Sequence, residues 1–373
     1  MTDATIDLPE ELAMLRESAR RIFDRAGGLS RARSLRGSSP GFDRAVWSQM
    51  GEAGLLGAVL PENAGGLGLE LSAPGIIAEE AGRALIPEPF VGAAGLTCAV
   101  LKDLKNTQAS NFARDLASGK SIAVIAWQED ARNPAFQPPE TSLRDGRLFG
   151  VKECVAHADG ADCFIVSASG TNGMALCRVD ADAPGLTISA RPQTDGSSLC
   201  QVAFSDVGLS PNGVLCEGYA AEKALASAFD EATALAAGEL LGVMSAAFEM
   251  TIDYLATRKQ FGQPIGAFQA LQHRAVDMKI QRELTEATVR ATITELEQER
   301  DGAKRAALAS RAKARAGSAA QLICREGIQM HGAIGYTDEC NIGLYLNRAL
   351  ALAAWHGNSA YHRSRYAHLK TAA

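Results

Sequence analysis

A chain of 373 residues that is 47% hydrophobic can bury a sizeable core and has room for two or three packed regions. Its formal net charge of -6 gives no electrostatic reason to bind nucleic acid. The opening MTDATIDLPEELAML is acidic where a secretory leader is basic, and no apolar run reads as a membrane span, so a cytoplasmic, non-membrane protein is expected. Eight cysteines stand singly with no C-x-x-C pair, so no metal site is expected and the thiols read as small buried hydrophobes.

Taken in chain order, residues 1–120 alternate helical patterns with Gly/Pro punctuation and read as an N-terminal helical domain. Residues 121–220 change to short β-type runs separated by the turn pairs Asp145-Gly146, Asn172-Gly173, Pro184-Gly185 and Asp195-Gly196, which predicts a middle antiparallel β domain. From 221 to 373 glycine and proline thin out. Leu241, Met244, Phe248, Ile252 and Leu255 then advance by three or four residues, as do Ala316, Ala320, Ile323, Gly327 and Met330. Long, small-residue-rich helices with short connections near Gly262 and Gly302 predict a C-terminal helical bundle, giving an α+β chain overall. Gly65-Gly66-Leu67-Gly68 lacks a P-loop lysine and reads as a turn, and no G-x-G-x-x-G follows a strand.

The most informative segment is ATRKQFGQPIGAFQAL, Ala256 to Leu271, which sets an Arg-Lys pair and a Phe-Gly turn between two helical patterns. An arginine at a helix end before a glycine break is well placed to grip a phosphate. Together with QMHGAIGYTDE (Gln329 to Glu339), it resembles the carboxy-terminal half of the acyl-CoA dehydrogenase family. WSQMGEAGLLGAVLPENAGGLGLE (Trp47 to Glu70), IAEEAGRALIPEPF (Ile77 to Phe90) and GVKECVAHADGADCFIVSA (Gly150 to Ala168) resemble its earlier segments, in family order. The resemblance implies a C-terminal four-helix bundle and FAD as cofactor, with an acyl-CoA thioester as substrate. It also implies electron-transfer flavoprotein as acceptor. By that resemblance Arg258 would contact the FAD pyrophosphate, Phe261 would pack near the adenosine half and Gln269 would hydrogen-bond the cofactor. Gln329, Gly332 and Ala333 would complete the pocket from a neighbouring subunit, which implies an oligomer. Where the family places a Thr-Glu-Pro segment against the flavin, this chain reads IAWQEDARNPAF, Ile125 to Phe136; Trp127 would either cover the flavin face or serve as a core tryptophan.

Family chemistry removes the proton alpha to the thioester with a glutamate in an aromatic-Glu-Gly-Thr segment. Here the segment reads Ala354-Trp355-His356-Gly357-Asn358-Ser359, with His356 in the glutamate's place. The minority position on the preceding long helix falls on Ala232, with Glu231 one residue away and about 100 degrees around the helix. Three readings stand open: His356 is the base, Glu231 serves through a shifted helix, or a partner chain brings the carboxylate. For the last there is a specific likeness, since LYLNRALALAAWHGNSAYHR (Leu344 to Arg363) is similar to subunits of bacterial heteromeric acyl-CoA dehydrogenases acting on steroid side-chain thioesters. The expected assembly is therefore a homo-oligomer or a heterotetramer with a second family member. A flavin-dependent oxygenase on the same scaffold is a further alternative. The many Ala and Gly residues of the late helices suggest space for a bulky acyl group.

Overall fold

The computed structural model describes residues 8–104 and 106–371. The chain opens with α1 (Glu10–Arg25), acidic at its first turn and basic at its last as the helix dipole favours, and α2 (Gly28–Leu35). Asp43 caps α3 (Arg44–Glu52) by accepting from the Ala45 amide. Then come α4 (Ser72–Ala84), α5 (Leu96–Lys102) and α6 (Thr107–Ala117), the last capped by Asn106. Arg16 and Arg20 of α1 both reach the buried Glu80 of α4, which fixes one helix across the other.

The strands β1 (Ala123–Ala126), β2 (Ser142–Arg144), β3 (Arg147–Ala156) and β4 (Cys163–Gly170) form one sheet with β5 (Gly173–Asp180), β6 (Leu186–Pro192), β7 (Ser198–Gly208) and β8 (Val214–Glu217). Their order is β6-β7-β3-β2-β4-β5-β8, with β1 beside β4. The tight links at Asp145-Gly146 and Asp195-Gly196 join antiparallel neighbours or near neighbours as the turn pairs suggest. The sheet departs from the expected antiparallel pattern at two places, since β1 and β2 each pair with β4 in parallel. Alternation of side chains is the same for both pairings, so the turn spacing alone could not separate them.

The last part is helical: α7 (Tyr219–Thr257), α8 (Gln269–Gln298), α9 (Gly302–His331), α10 (Ile342–Ala354) and α11 (Ser359–Thr371). The predicted faces of α7 and α9 are the buried ones; Leu241, Met244, Leu255, Ala316, Ala320 and Ile323 are almost fully enclosed. One expectation is corrected here. By length and composition α7 is apolar enough to cross a membrane, because alanine dominates it, yet most of that apolar window is buried inside the protein, as in a core helix. Two of the small residues serve helix packing. A Cβ at Gly82 would collide with the Glu239 carbonyl and one at Gly242 with the Glu79 carbonyl, so these glycines let α4 and α7 touch backbone to backbone and do not open space for a ligand.

Val276, Ile280 and Leu284 of α8 recur every fourth residue and are each about half exposed, which leaves an apolar stripe uncovered along the bundle. All eight thiols are free. Cys98, Cys163, Cys177, Cys200 and Cys324 are buried, while Cys154, Cys216 and Cys340 are half-buried. A cavity of about 320 Å³ between α1, α4, α7 and α8, edged by Leu12, Ile76, Leu241 and Ile293, is lined by none of the candidate site residues.

Candidate active site and cofactor surface

The candidate residues fall into two groups at opposite ends of α7. From Phe229 to the helix end at Thr257 the axis runs roughly 40 Å at 1.5 Å per residue.

At the far end, Arg258 is the C-cap residue of α7, exposed, with no side-chain partner among the described residues. Phe261 follows with a left-handed backbone (φ 53°) and is 91% exposed, its ring edge-on to Phe268 at 6.0 Å. Gln269 is the exposed first residue of α8. Gln329 is exposed on the last turn of α9, and Gly332 caps that helix with φ 68°, a conformation suited to glycine. Ala333 follows in an exposed turn. The ring of Tyr254 stacks on His331 at 4.4 Å, and its hydroxyl donates to the His331 carbonyl at 3.3 Å.

The two turns therefore stand side by side on one chain. The reason is topological: α8 reverses the chain and α9 reverses it again, so α9 ends where α7 ends. Within one chain Gln329, Gly332 and Ala333 thus lie on the same surface as Arg258.

At the near end, Trp127 stands just past β1 and His356 in the turn between α10 and α11. The structure brings them together through Phe229 of α7, whose ring lies 4.4 Å from Trp127 and 4.8 Å from His356. His356 stacks on Trp355 at 3.5 Å, and Phe136 lies against Trp127 at 6.3 Å. Five rings thus occupy the space between sheet and bundle, and both flanks of Trp127 are taken by other rings. Burial first, then the charges of Lys313, His362 and Arg365, hold the His356 imidazole well below its usual range, so it is neutral and weakly basic. Its Nδ1 is buried without a hydrogen-bond partner.

Glu231 lies two residues beyond Phe229 on α7 but is engaged elsewhere. Lys102 Nζ sits 2.6 Å from one carboxylate oxygen and Arg305 3.0 Å from the other. Its neighbour Asp230 faces Arg365 at 3.3 Å, and burial pushes that carboxyl up to about 6. A small cavity of about 10 Å³ lies between Phe90, Ala94, Leu235 and Glu231.

Sequence reasoning missed the groups that hold these segments. Buried Lys152 on β3 donates to the Trp127 carbonyl at 3.2 Å, to Ser167 at 3.1 Å and to Glu129 at 2.6 Å. Burial, against the pull of Glu129, brings its pKa down to about 8. Phe229 and Lys313 were equally invisible, since nothing in a helical pattern separates a ring or amine that meets a site from one that meets the core. Among the described residues no group of His, Cys, Asp and Glu is placed to hold a metal.

A helical region, a sheet and a helical bundle, with a cationic turn at the bundle end, define a flavoprotein dehydrogenase scaffold. The family model for the acyl-CoA dehydrogenase N-terminal domain matches residues 9–120, and that for the acyl-CoA dehydrogenase C-terminal domain matches residues 223–368. The chain belongs to the acyl-CoA dehydrogenase family, whose members are FAD-binding oxidoreductases acting on CH–CH groups. Among its relatives is the acyl-CoA dehydrogenase IpdE2 of Mycobacterium tuberculosis, 29% identical over 91% of each chain. A variant of the Tcur3481–Tcur3483 steroid ACAD is 29% identical over 97% of this chain and 98% of that one, with a TM-score of 0.85. The ChsE4-ChsE5 complex from Mycobacterium tuberculosis shares the fold at a TM-score of 0.88, with 21% identity over 98% of this chain and 99% of that one.

The family's cofactor can be tested against these residues. The bundle end fits the phosphate-bearing half of FAD, because Arg258 is exposed and unpaired and the Gly332 turn carries no bulk. At the other end Trp127 is half-buried, with Phe136 and Phe229 packed beside it.

Proposed function

We propose that this chain is a subunit of a heteromeric acyl-CoA dehydrogenase that supplies FAD contacts from its bundle end, while a second family member supplies the catalytic carboxylate. Arg258 grips the pyrophosphate, Phe261 and Gln269 meet the adenosine side, and Gln329 with the Gly332-Ala333 turn closes the same surface. FAD, when bound, supplies the hydride acceptor for alpha,beta-desaturation of the thioester. The observation that carries this reading is that neither candidate base is available. Both oxygens of Glu231 are held by cations, and His356 is neutral, weakly basic and stacked among rings. A general base needs a lone pair aimed at the proton it removes and a pKa near the working pH.

The uncovered stripe of Val276, Ile280 and Leu284 supports an oligomer. The likeness to a steroid ACAD supports a steroid-type acyl group as the substrate of the assembly. Electrons then pass to an electron-transfer flavoprotein, and the assembly works in the cytoplasm. The domain division proposed is residues 1–120, 121–220 and 221–373. One observation favours a second reading: the unpartnered Nδ1 of His356 is a free acceptor, which a base in this chain would need.

The experiment follows flavin absorbance anaerobically as linear, branched and steroid-type acyl-CoAs are added to the chain alone and to the chain co-produced with a glutamate-bearing family member. No bleaching alone, bleaching in the complex, and at least tenfold weaker FAD retention in Arg258→Ala are expected. Bleaching by the chain alone that His356→Ala abolishes would move the base into this chain.

A further inference from the structure

Lys313 lies in the middle of α9 and is fully buried, with 1% of its surface exposed. No carboxylate stands within ion-pair distance of it among the described residues. Instead its ammonium donates to three backbone carbonyls of one turn: Trp355 at 2.6 Å, Gly357 at 3.0 Å and Ala353 at 3.3 Å. The fourth carbonyl of that turn, His356, lies 3.0 Å from Nε2 of His362, whose Nδ1 faces Ser310 of α9 at 3.2 Å. A lysine has three donors, and here all three point at one short segment.

The turn needs such a hold. His356 and Gly357 adopt successive left-handed conformations, with φ 56° and 101°, and a non-glycine residue there costs about 1 kcal/mol that the surroundings must impose. At the end of α10 the Ala351 and Ala354 carbonyls accept from the Trp355 and Gly357 amides, whereas the Ala353 carbonyl turns to Lys313, and a cation at a helix C-terminus is favoured by the dipole. With these four carbonyls drawn toward α9 and α11, the His356 ring meets Phe229 and faces Trp127 on one side while it stacks on Trp355 on the other. Burying an unpaired ammonium is costly, so the three donated bonds are what keep it there.

We propose that Lys313 is the positioning residue of the Trp355–Gly357 turn, setting the His356 ring, stacked on Trp355, against Phe229 and Trp127. The inference goes beyond the subunit reading and holds whichever chain carries the base. Its test uses neither flavin turnover nor thioester, so the two fail separately.

The measurement is amide hydrogen exchange, with near-ultraviolet circular dichroism as the signature of the ring stack, on the full chain and its Lys313→Met variant. Met matches the side chain in length and lacks the donors. At least tenfold faster exchange confined to residues 354–361, with a changed aromatic signal and unchanged protection in the middle of α7, is expected. Wild-type exchange in that segment, or a loss spread evenly through α7, α9 and α11, overturns the proposal. Should Lys313→Met not be recovered folded, Lys313→Leu takes its place, since it is shorter and equally lacks donors. Localised loosening supports the proposal and wild-type exchange overturns it.

Discussion

Glu231 joins segments that the chain order keeps far apart, because its two cations come from α5 and from α9. Removing it leaves Arg305 buried and both cations unpaired, which costs about 3–5 kcal/mol. Glu231→Ala is therefore expected to lower stability by that amount in urea unfolding, with Glu231→Gln losing less; a loss under 1 kcal/mol would show the carboxylate to be free for other work. What was legible at this scale was what lies close in sequence. Arg258, Phe261 and Gln269 share one turn and its helix start, so their grouping could be read directly. The standing of Glu231 and His356 could not, because it depends on Lys102, Arg305, Lys313 and Phe229, whose approach is set by tertiary packing. Trp127 was open between two roles for the same reason, and its ring neighbours Phe136 and Phe229 are what favour the core role.

The contact between α4 and α7 depends on glycine at the element scale. Gly82 and Gly242 each lie against a carbonyl of the facing helix, so an added methyl would push the backbones apart along a seam that includes Glu79 and Glu239. Gly242→Ala is expected to cost at least about 3 kcal/mol, or to prevent recovery of folded protein, whereas Gly302→Ala, where a Cβ meets nothing, is expected to be neutral or slightly stabilising. Thermal unfolding of the two variants side by side checks this. Periodicity announced α7 and α9 well, since three- and four-residue spacing is a strong signal over thirty residues. It said nothing of how closely the helices approach, which at Gly82 and Gly242 is backbone to backbone. The parallel pairing of β1 with β4 was hidden for a similar reason, as strand pattern carries no direction.

For the whole molecule, two buried lysines give stability a definite pH dependence. Burial lowers Lys313 to about 7 and Lys152 to about 8, each from 10.5. Between those values and about 10.4 the unfolded chain holds the protons that the folded chain has released, so stability rises with pH. Above about 9 the buried thiols reverse the slope, because Cys98, Cys177 and Cys324 are pushed up to about 12 and stay protonated in the fold. The urea midpoint is expected to climb from pH 7 to about pH 9 and then fall, and Lys313→Met to flatten the first part of the climb. The order of helical region, sheet and bundle was readable along the chain, since each changes the spacing of apolar residues; the meeting of two distant turns at one bundle end was not. The cysteines add a consequence of a different kind. Burial makes most of them inert to alkylating reagents near neutral pH, but half-buried Cys340 lies four residues beyond the exposed Tyr336, beside the surface that carries Arg258 and Gly332. Told apart from half-buried Cys154 and Cys216 by peptide mapping, this native thiol serves as a chemical ruler for that end of the bundle, its rate of labelling telling an uncovered chain from an assembled one without any engineered tag.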